Sequence, residues 1–312
     1  MIIHPRVLFV TNKDDFACDY LIYRFLHKQV PYLRLNSEDI TEVSISFQPD
    51  NVEVLFDNIK YELSYVKSVY FRRAPTVFPP ALNENDTPFI NRERRDFFEG
   101  LYCSLDVKWI NPVFATYRAE RKLLQLNVAE KLGFYIPKTI VSNDPVKILN
   151  FVNLCNECII KPISHGLQIT NEGTYSIYTS EITSLDWLET DKLFESPVLI
   201  QEKISNYRDI RVTVVGDHVF AVEIEKNDPC SVDWRAPDIV KGYRIHQLPE
   251  YIIRQIYSLH RVLDLTYSAI DFILTPEGKY VFLETNPAGE WVWLEKELGL
   301  KISDAIIDEL LI

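Results

Sequence analysis

The stretch that most constrains this chain lies near its end. Asp271-Phe272-Ile273-Leu274 is followed by a Thr275-Pro276-Glu277-Gly278-Lys279 turn and then Tyr280-Val281-Phe282-Leu283-Glu284-Thr285-Asn286-Pro287. Two β-prone runs around a Gly-bearing turn predict a hairpin. With Glu277-Gly278 at its tip, antiparallel pairing sets Asp271 opposite Glu284, where Cβ atoms lie roughly 4.5–5.5 Å apart. Asn286 shares the face of Glu284, because strand side chains repeat every two residues. Two carboxylates and an amide oxygen converging on one face repel unless a hard cation lies between them. Oxygen-only ligands of this kind suit Mg²⁺ held jointly with substrate phosphates. The plain alternative is a surface hairpin with unrelated acids, and Asn286 at the right parity weighs against it.

A chain of 312 residues, 47% hydrophobic and 25% charged, suits two or three compact modules with a large core. Its apolar runs are short and interrupted, so no membrane span is expected. The start, Met1-Ile2-Ile3-His4-Pro5-Arg6, lacks the features of a signal peptide. Five scattered cysteines read as reduced thiols, so a cytoplasmic setting is expected. Cys155 and Cys158 form a lone C-x-x-C, read as buried helix-end thiols. A net charge of −12 argues against nucleic acid as a partner, although a local basic pocket for ATP is compatible with it.

Residues 6–112 read as an opening α/β module. Val7-Leu8-Phe9-Val10 is a buried strand, Asp14 to Gln29 a helix, and Val43 to Tyr61 two strands around Pro49-Asp50-Asn51. Ser68 to Arg72 is a further strand, Asn91 to Ser104 a helix, and Asn111-Pro112 a boundary. A single helix from Arg118 to Leu132 is stopped by Gly133. Short strands and helices alternate over 137–200, including a helix from Val146 and strands at Cys158 and Gly173 to Thr179. Beyond Gln201 the chain is strand-rich, with a helix Tyr251 to Leu263, the hairpin and one closing helix.

Two lysines stand out. Lys122 lies on the 118–132 helix, and Lys161 ends an apolar strand before Pro162-Ile163-Ser164-His165-Gly166, a turn whose backbone N–H groups can cover phosphate. Next, Leu199-Ile200 runs into the polar Gln201-Glu202-Lys203-Ile204. Then Asp209, Arg211 and Thr213 share one strand face. Acid and base on a buried face must pair with each other or with a ligand.

Taken in order, these elements resemble the ATP-grasp superfamily, over essentially the whole chain. The resemblance implies a mixed α/β (α+β) fold with an N-terminal pre-ATP-grasp domain at 1–115. It also implies a central lid at 116–200 and an antiparallel-sheet subdomain with the metal site at 201–312. It implies ATP with Mg²⁺, taken as two ions. Lys122, Lys161 and Gly166 would serve the phosphates, and Gln201, Glu202, Lys203 and Ile204 the adenine. Asp271, Glu284 and Asn286 would hold the metal. Asp209 aligns with an acid that reaches the ribose, and it is equally read as a base for the attacking nucleophile. The phosphate loop departs from many relatives in having one glycine, Gly166, beside His165.

A narrower resemblance rests on Asn286-Pro287-Ala288-Gly289-Glu290-Trp291-Val292-Trp293, with Tyr70-Phe71-Arg72-Arg73 and Asp209-Ile210-Arg211. These are similar to the microviridin-type (graspetide) peptide maturases. That likeness implies a precursor peptide with leader and core segments as partner. An Asp or Glu side chain would be activated as an acyl phosphate and attacked by Ser, Thr or Lys. Arg211 would grip the carboxylate, with Arg235 as second candidate. The alternatives are a ligase of the ribosomal-protein glutamate-adding type and a non-catalytic ATP-binding scaffold. A homodimer is left open. Trp291 and Trp293 are equally read as packing for the last helix.

Overall fold

The computed structural model describes the chain apart from residues 73–77, 165, 171–172, 190–194, 206–207, 229–230 and 237. His165 and Arg73, both singled out above, lie outside the described residues. Near the N-terminus, strands Tyr32–Asn36, Val7–Thr11, Ser68–Phe71 and Lys108–Ile110 pair in that order, all parallel. Every residue of Val7–Thr11 is buried, as a parallel strand covered on both faces requires. One face packs on the helix Phe16–Phe25 and on the last helices of the chain. The other packs on Phe98, Leu101 and Tyr102 of the helix Thr87–Cys103.

Three local expectations change here. Three strands, Ser44–Gln48, Asn51–Phe56 and Ile59–Glu62, stand where two were expected. The missed turn is Asp57-Asn58, both at positive φ (51° and 60°), a region that Asp and Asn tolerate better than most residues. The helix Thr87–Cys103 starts before Asn91, because Pro88 sits in its first turn, where a missing N–H costs nothing. The expected 118–132 helix is two, Val113–Ala119 and Lys122–Lys131. Arg121 breaks it with extended backbone (φ −82°, ψ 100°), which leaves Lys122 as the first residue of the second helix.

The middle of the chain forms an antiparallel sheet in the order Ser180–Glu181, Cys158–Lys161, Val198–Glu202, Thr139–Ser142, packed under the helix Pro145–Leu154. Leu167–Thr170 and Gly173–Ser176 make a separate two-stranded flap. The last sheet runs Val240–Ile245, His218–Lys226, Arg208–Val215, Tyr267–Leu274, Tyr280–Asn286, antiparallel throughout. Ile210, Val212, Val214, Ile270 and Phe272 point to one face and pack with Leu126, Ala129, Ile256 and Leu259 of the helices Lys122–Lys131 and Glu250–Leu263. The opposite face carries Asp209, Arg211 and Thr213. The closing helix is split by Gly299 (φ 66°) into Val292–Leu298 and Ile302–Leu311.

The hairpin reaches the expected juxtaposition by an unexpected route. Around the tip, Leu274 faces Tyr280 and Phe272 faces Phe282, one residue out of the register expected from a Glu277-Gly278 tip. A bulge between Phe272 and Asp271 takes up the extra residue, Leu283, and Asp271 then faces Glu284. Leu283 and Glu284 consequently share a face although they are adjacent, as bulges allow.

The N-terminal and C-terminal sheets are fastened through the loop after Asn286. Arg72, 1% exposed, donates from Nη1 to the carbonyls of Ala288 and Gly289 (3.0 Å to the latter) and from Nη2 to Glu290 Oε1 (2.6 Å). Its Nε reaches Asp15 Oδ1 at 3.1 Å. Burial alone would raise the Asp15 carboxyl, but the Arg72 charge and the Thr11 hydroxyl at 2.6 Å hold it below its ordinary value. Trp291, fully buried, pegs the same loop into the core that holds Phe9 and Tyr70. Removing one partner of a buried ion pair costs about 3–5 kcal/mol. Arg72→Met is therefore expected to lower the unfolding free energy by that order, read as a lower urea midpoint, and an unchanged midpoint would show that the guanidinium is dispensable for stability.

Candidate active site

The polar face of the last sheet is built from pairs set by register. Arg211 lies directly across from Asp271, and its Nη1 donates to both carboxylate oxygens at 3.0 and 2.9 Å. Its Nη2 donates to Glu290 O at 3.3 Å. Its Nε is buried and has no hydrogen-bond partner among the described residues. Gly289 makes room for this guanidinium: a Cβ there would meet Arg211 Nη2 at 2.8 Å and run into Ala269 Cβ.

Glu284 sits among cations, with Lys122 Nζ and Arg235 Nη1 each at 3.6 Å. Burial would raise its carboxyl, but Lys122, Lys161 and Arg235 outweigh burial and hold it below its ordinary value. Asp271 goes the other way, raised mainly by burial despite Arg211, with the neighbouring Glu284 adding to the rise. Asn286 pairs with Ala269, is exposed, and accepts from Ala288 N at 2.9 Å through its side-chain oxygen. Among the described residues no group of three or more His, Cys, Asp or Glu converges. Two carboxylates and an amide are too few for a cage of protein ligands. They fit a hard cation that draws its remaining oxygens from phosphate and water.

Lys122 Nζ also donates to the carbonyls of Pro162 (2.8 Å) and Ser164 (3.0 Å), so it ties the loop after Lys161 to the hairpin. Lys161 ends the strand Cys158–Lys161, and burial drops its ammonium to about 8 against the pull of Glu284, with Lys122 and Arg235 lowering it further. A bound phosphate would raise it again by adding a negative neighbour. Gly166 stands at the foot of the flap, where its carbonyl accepts from Ile177 N at 2.6 Å, and a Cβ there would run into the Ile177 carbonyl.

Beside Lys161 a narrow cleft of about 50 Å³ is bounded by Ile159 from the lid, Ile273 and Leu283 from the hairpin, and the run Gln201 to Ile204. Ligand pockets start at roughly 300 Å³, so this cleft must widen to admit a nucleotide base. Glu202 is already engaged: its Oε1 accepts from Lys138 N at 2.9 Å, and its Oε2 lies 3.0 Å from Lys138 Nζ. Lys203 pairs with Glu181 at 2.9 Å, and Gln201 donates to Thr139 Oγ1 at 2.8 Å. A larger cavity of about 290 Å³ opens between Phe47 and Leu105 and includes none of the expected site residues.

Asp209 is buried and ion-paired with Lys226 at 2.9 Å. Burial raises its carboxyl to about 6 despite that partner, and Asp271 and Asp233 push in the same direction. Asp233 holds Arg235 by two bonds of 2.9 Å and accepts from Thr179 N at 3.1 Å, so this loop joins the middle of the chain to Glu284 of the hairpin. Sequence reasoning missed Lys226, Asp233 and Gln125. Lys226 and Asp233 carried no signal beyond their charge. Gln125, one turn after Lys122, reads as an ordinary helix residue.

The geometry therefore gathers Lys122, Lys161, Arg211, Arg235 and Lys226 around Asp271, Glu284, Asp209 and Asp233, beside a cleft with apolar walls. Residues 119–310 match the RimK-like ATP-grasp domain. A tetrahydromethanopterin:alpha-L-glutamate ligase of Methanocaldococcus jannaschii is 26% identical over 276 residues, 84% of this chain and 87% of that one. The macrocyclase MdnC of Microcystis aeruginosa MRC, solved bound with precursor peptide MdnA, superposes with a TM-score of 0.85 at 28% identity, covering 100% of this chain and 99% of the other. A RiPP-associated ATP-grasp ligase of Chryseobacterium gregarium, solved with ADP and a leader and core peptide, gives 0.86 at 25% identity, with 98% and 96% covered. The chain belongs to the RimK-like ATP-grasp family, and it is an ATP-grasp ligase with the mixed helix-and-sheet fold of that family.

Proposed function

We propose that this ligase is an ATP-dependent macrocyclase of a ribosomally made precursor peptide. It would activate Asp or Glu side chains as acyl phosphates for attack by Ser or Thr hydroxyls or Lys amines. The observation that carries this reading is the end-to-end likeness to an enzyme solved with its precursor peptide. The runner-up, addition of a free amino acid, rests on the more distant glutamate ligase. The reading divides the chain into units at 1–115, 116–200 and 201–312.

ATP-grasp enzymes use ATP and Mg²⁺, and in this proposal Asp271, Glu284 and Asn286 hold one or two ions. The metal, when bound, neutralises phosphate charge so that a substrate carboxylate can approach. Lys122 and Lys161 grip the phosphates as point charges. Apolar Ile159, Ile273 and Leu283 sandwich the base, and Gln201 to Ile204 meet its edge. Arg211 offers its unpartnered Nε to the substrate carboxylate, with Arg235 at the mouth as a second anchor. A carboxylate oxygen attacks the γ-phosphorus and ADP leaves. Asp209 then takes the proton of the incoming hydroxyl or amine as that group attacks the acyl carbon and phosphate leaves. The lid and flap keep water from the acyl phosphate. Among the described residues no helix is long and apolar enough to cross a membrane.

Glu284→Gln preserves shape but removes charge that a divalent cation needs. Loss of ATP turnover in a protein that still folds is expected, and normal turnover at ordinary Mg²⁺ would falsify the metal assignment.

Arg211→Lys keeps charge but loses the planar fork and its Nε. Nucleotide affinity should stay near wild type. Products lighter by one water per ring should vanish from the mass spectrum together with phosphate release. Rings formed at the wild-type rate would transfer the role to Arg235, and wild-type products heavier by whole amino acids would favour the runner-up.

With Asp209 raised to about 6, the base is protonated below that pH and competent above it. Turnover should therefore fall as pH drops through about 6, and residual turnover in Asp209→Asn should lack that limb. An acid limb that persists in Asp209→Asn would assign the base elsewhere and leave Asp209 to the ribose.

A further inference from the structure

We infer that Gln125 is a positioning residue that locks the metal-bearing strand to the phosphate-binding helix. Tyr280–Asn286 is the edge strand of its sheet, so the outward N–H and C=O of Thr285 have no strand to pair with. Gln125 supplies both partners from the helix Lys122–Lys131. Its Oε1 accepts from Thr285 N at 3.0 Å, and its Nε2 donates to Thr285 O at 2.8 Å. The same Nε2 donates to the Ala119 carbonyl at the end of the preceding helix. The side-chain amide thus stands in for the next strand of the ladder. It does so in full burial, at 2% exposure, where an unpaired amide is costly.

The position of this contact gives it functional weight. Thr285 lies between Glu284 and Asn286, and Gln125 lies one turn after Lys122, which itself reaches Glu284 and the Pro162 and Ser164 carbonyls. This amide therefore helps to fix two metal-ligand positions relative to a phosphate lysine, on an outer edge that Phe282 N also ties to the Tyr135 carbonyl at 2.8 Å, three residues before Thr285. The inference rests on the proposed roles of Asp271, Glu284, Asn286 and Lys122. It adds that Gln125 acts through them without touching nucleotide or metal.

Gln125→Met deletes the amide at similar length, and Gln125→Glu keeps the acceptor for Thr285 N while losing the donor. Gln255→Met is the comparison, because it removes a similar amide-to-carbonyl bond (3.2 Å to Leu132 O) at the other end of the same helix. Calorimetry would follow ADP binding across a Mg²⁺ titration, and hydrogen exchange would follow the Thr285 amide. Gln125→Met should raise the Mg²⁺ concentration for half-saturation about tenfold, as loss of a buried hydrogen bond implies, and unprotect Thr285 N–H. Gln125→Glu should leave that N–H protected with a smaller Mg²⁺ shift, and it carries the test if Gln125→Met does not fold. Gln255→Met should lower the melting temperature alone. A wild-type Mg²⁺ dependence that neither Gln125 variant moves, or that Gln255→Met moves equally, overturns the role of Gln125. ADP binding by wild type that ignores Mg²⁺ altogether overturns the metal assignment, and this inference falls with it.

Discussion

The structure depends on one buried guanidinium. Arg72 is withdrawn from water among main-chain carbonyls and two carboxylates, and burying a charge is tolerable only when its hydrogen bonds are nearly all made. What it holds is the loop Ala288, Gly289 and Glu290, more than two hundred residues away in sequence. Arg211 grips the Glu290 carbonyl from the other side, and Tyr267 OH reaches the Gly289 carbonyl at 2.6 Å. The loop is thus caught between two arginines, one from each end of the molecule. Its bare Gly289 lets the second arginine lie flat against the sheet. Without the first clamp, the surface on which Arg211 rests would be free to move.

A second constraint is electrostatic. The chain carries a net charge of −12, yet around the hairpin the cations outnumber the acids. Acids spaced among them keep Lys122, Arg211 and Arg235 in place without a ligand. Asp271 and Glu284 are driven apart in proton affinity by the same surroundings, one mainly by burial and the other by four cations, Lys122 first among them. Both shifts have their causes within the protein, burial for the one and neighbouring cations for the other. The local surplus of cations suits the anionic nucleotide that an ATP-grasp ligase uses.

Much of this was legible in the letters. The hairpin, the two lysines and the Asp209-Arg211 face follow from strand parity and residue type, which are local properties. The split at Arg121 was not legible, because Arg does not announce an extended backbone, whereas Asp57-Asn58 carried a turn signal that was passed over beside the stronger Pro49-Asp50-Asn51. Helix Thr87–Cys103 was cut short because Pro88 reads as a breaker until its place in the first turn is known. Arg72, Lys226 and Gln125 escaped a functional reading for another reason. Each acts through a partner distant in sequence, and a buried amide on a helix looks like any surface glutamine until the strand it serves is in view.

The irregularity at Leu283 has a consequence for how this hairpin can vary. In a regular ladder continued from the tip, Leu283 would face Asp271, and Glu284 and Asn286 would turn toward the apolar core beneath the helices. One surplus residue reverses that parity, so Leu283 in the cleft beside Lys161 and Glu284 on the proposed metal face are consecutive positions on one side of the strand. Tip and site are thereby decoupled. The turn can change its residues while the bulge keeps the acids aimed, whereas deleting a single residue between Phe282 and Glu284 would invert the chemistry of the strand while leaving every acid in the sequence.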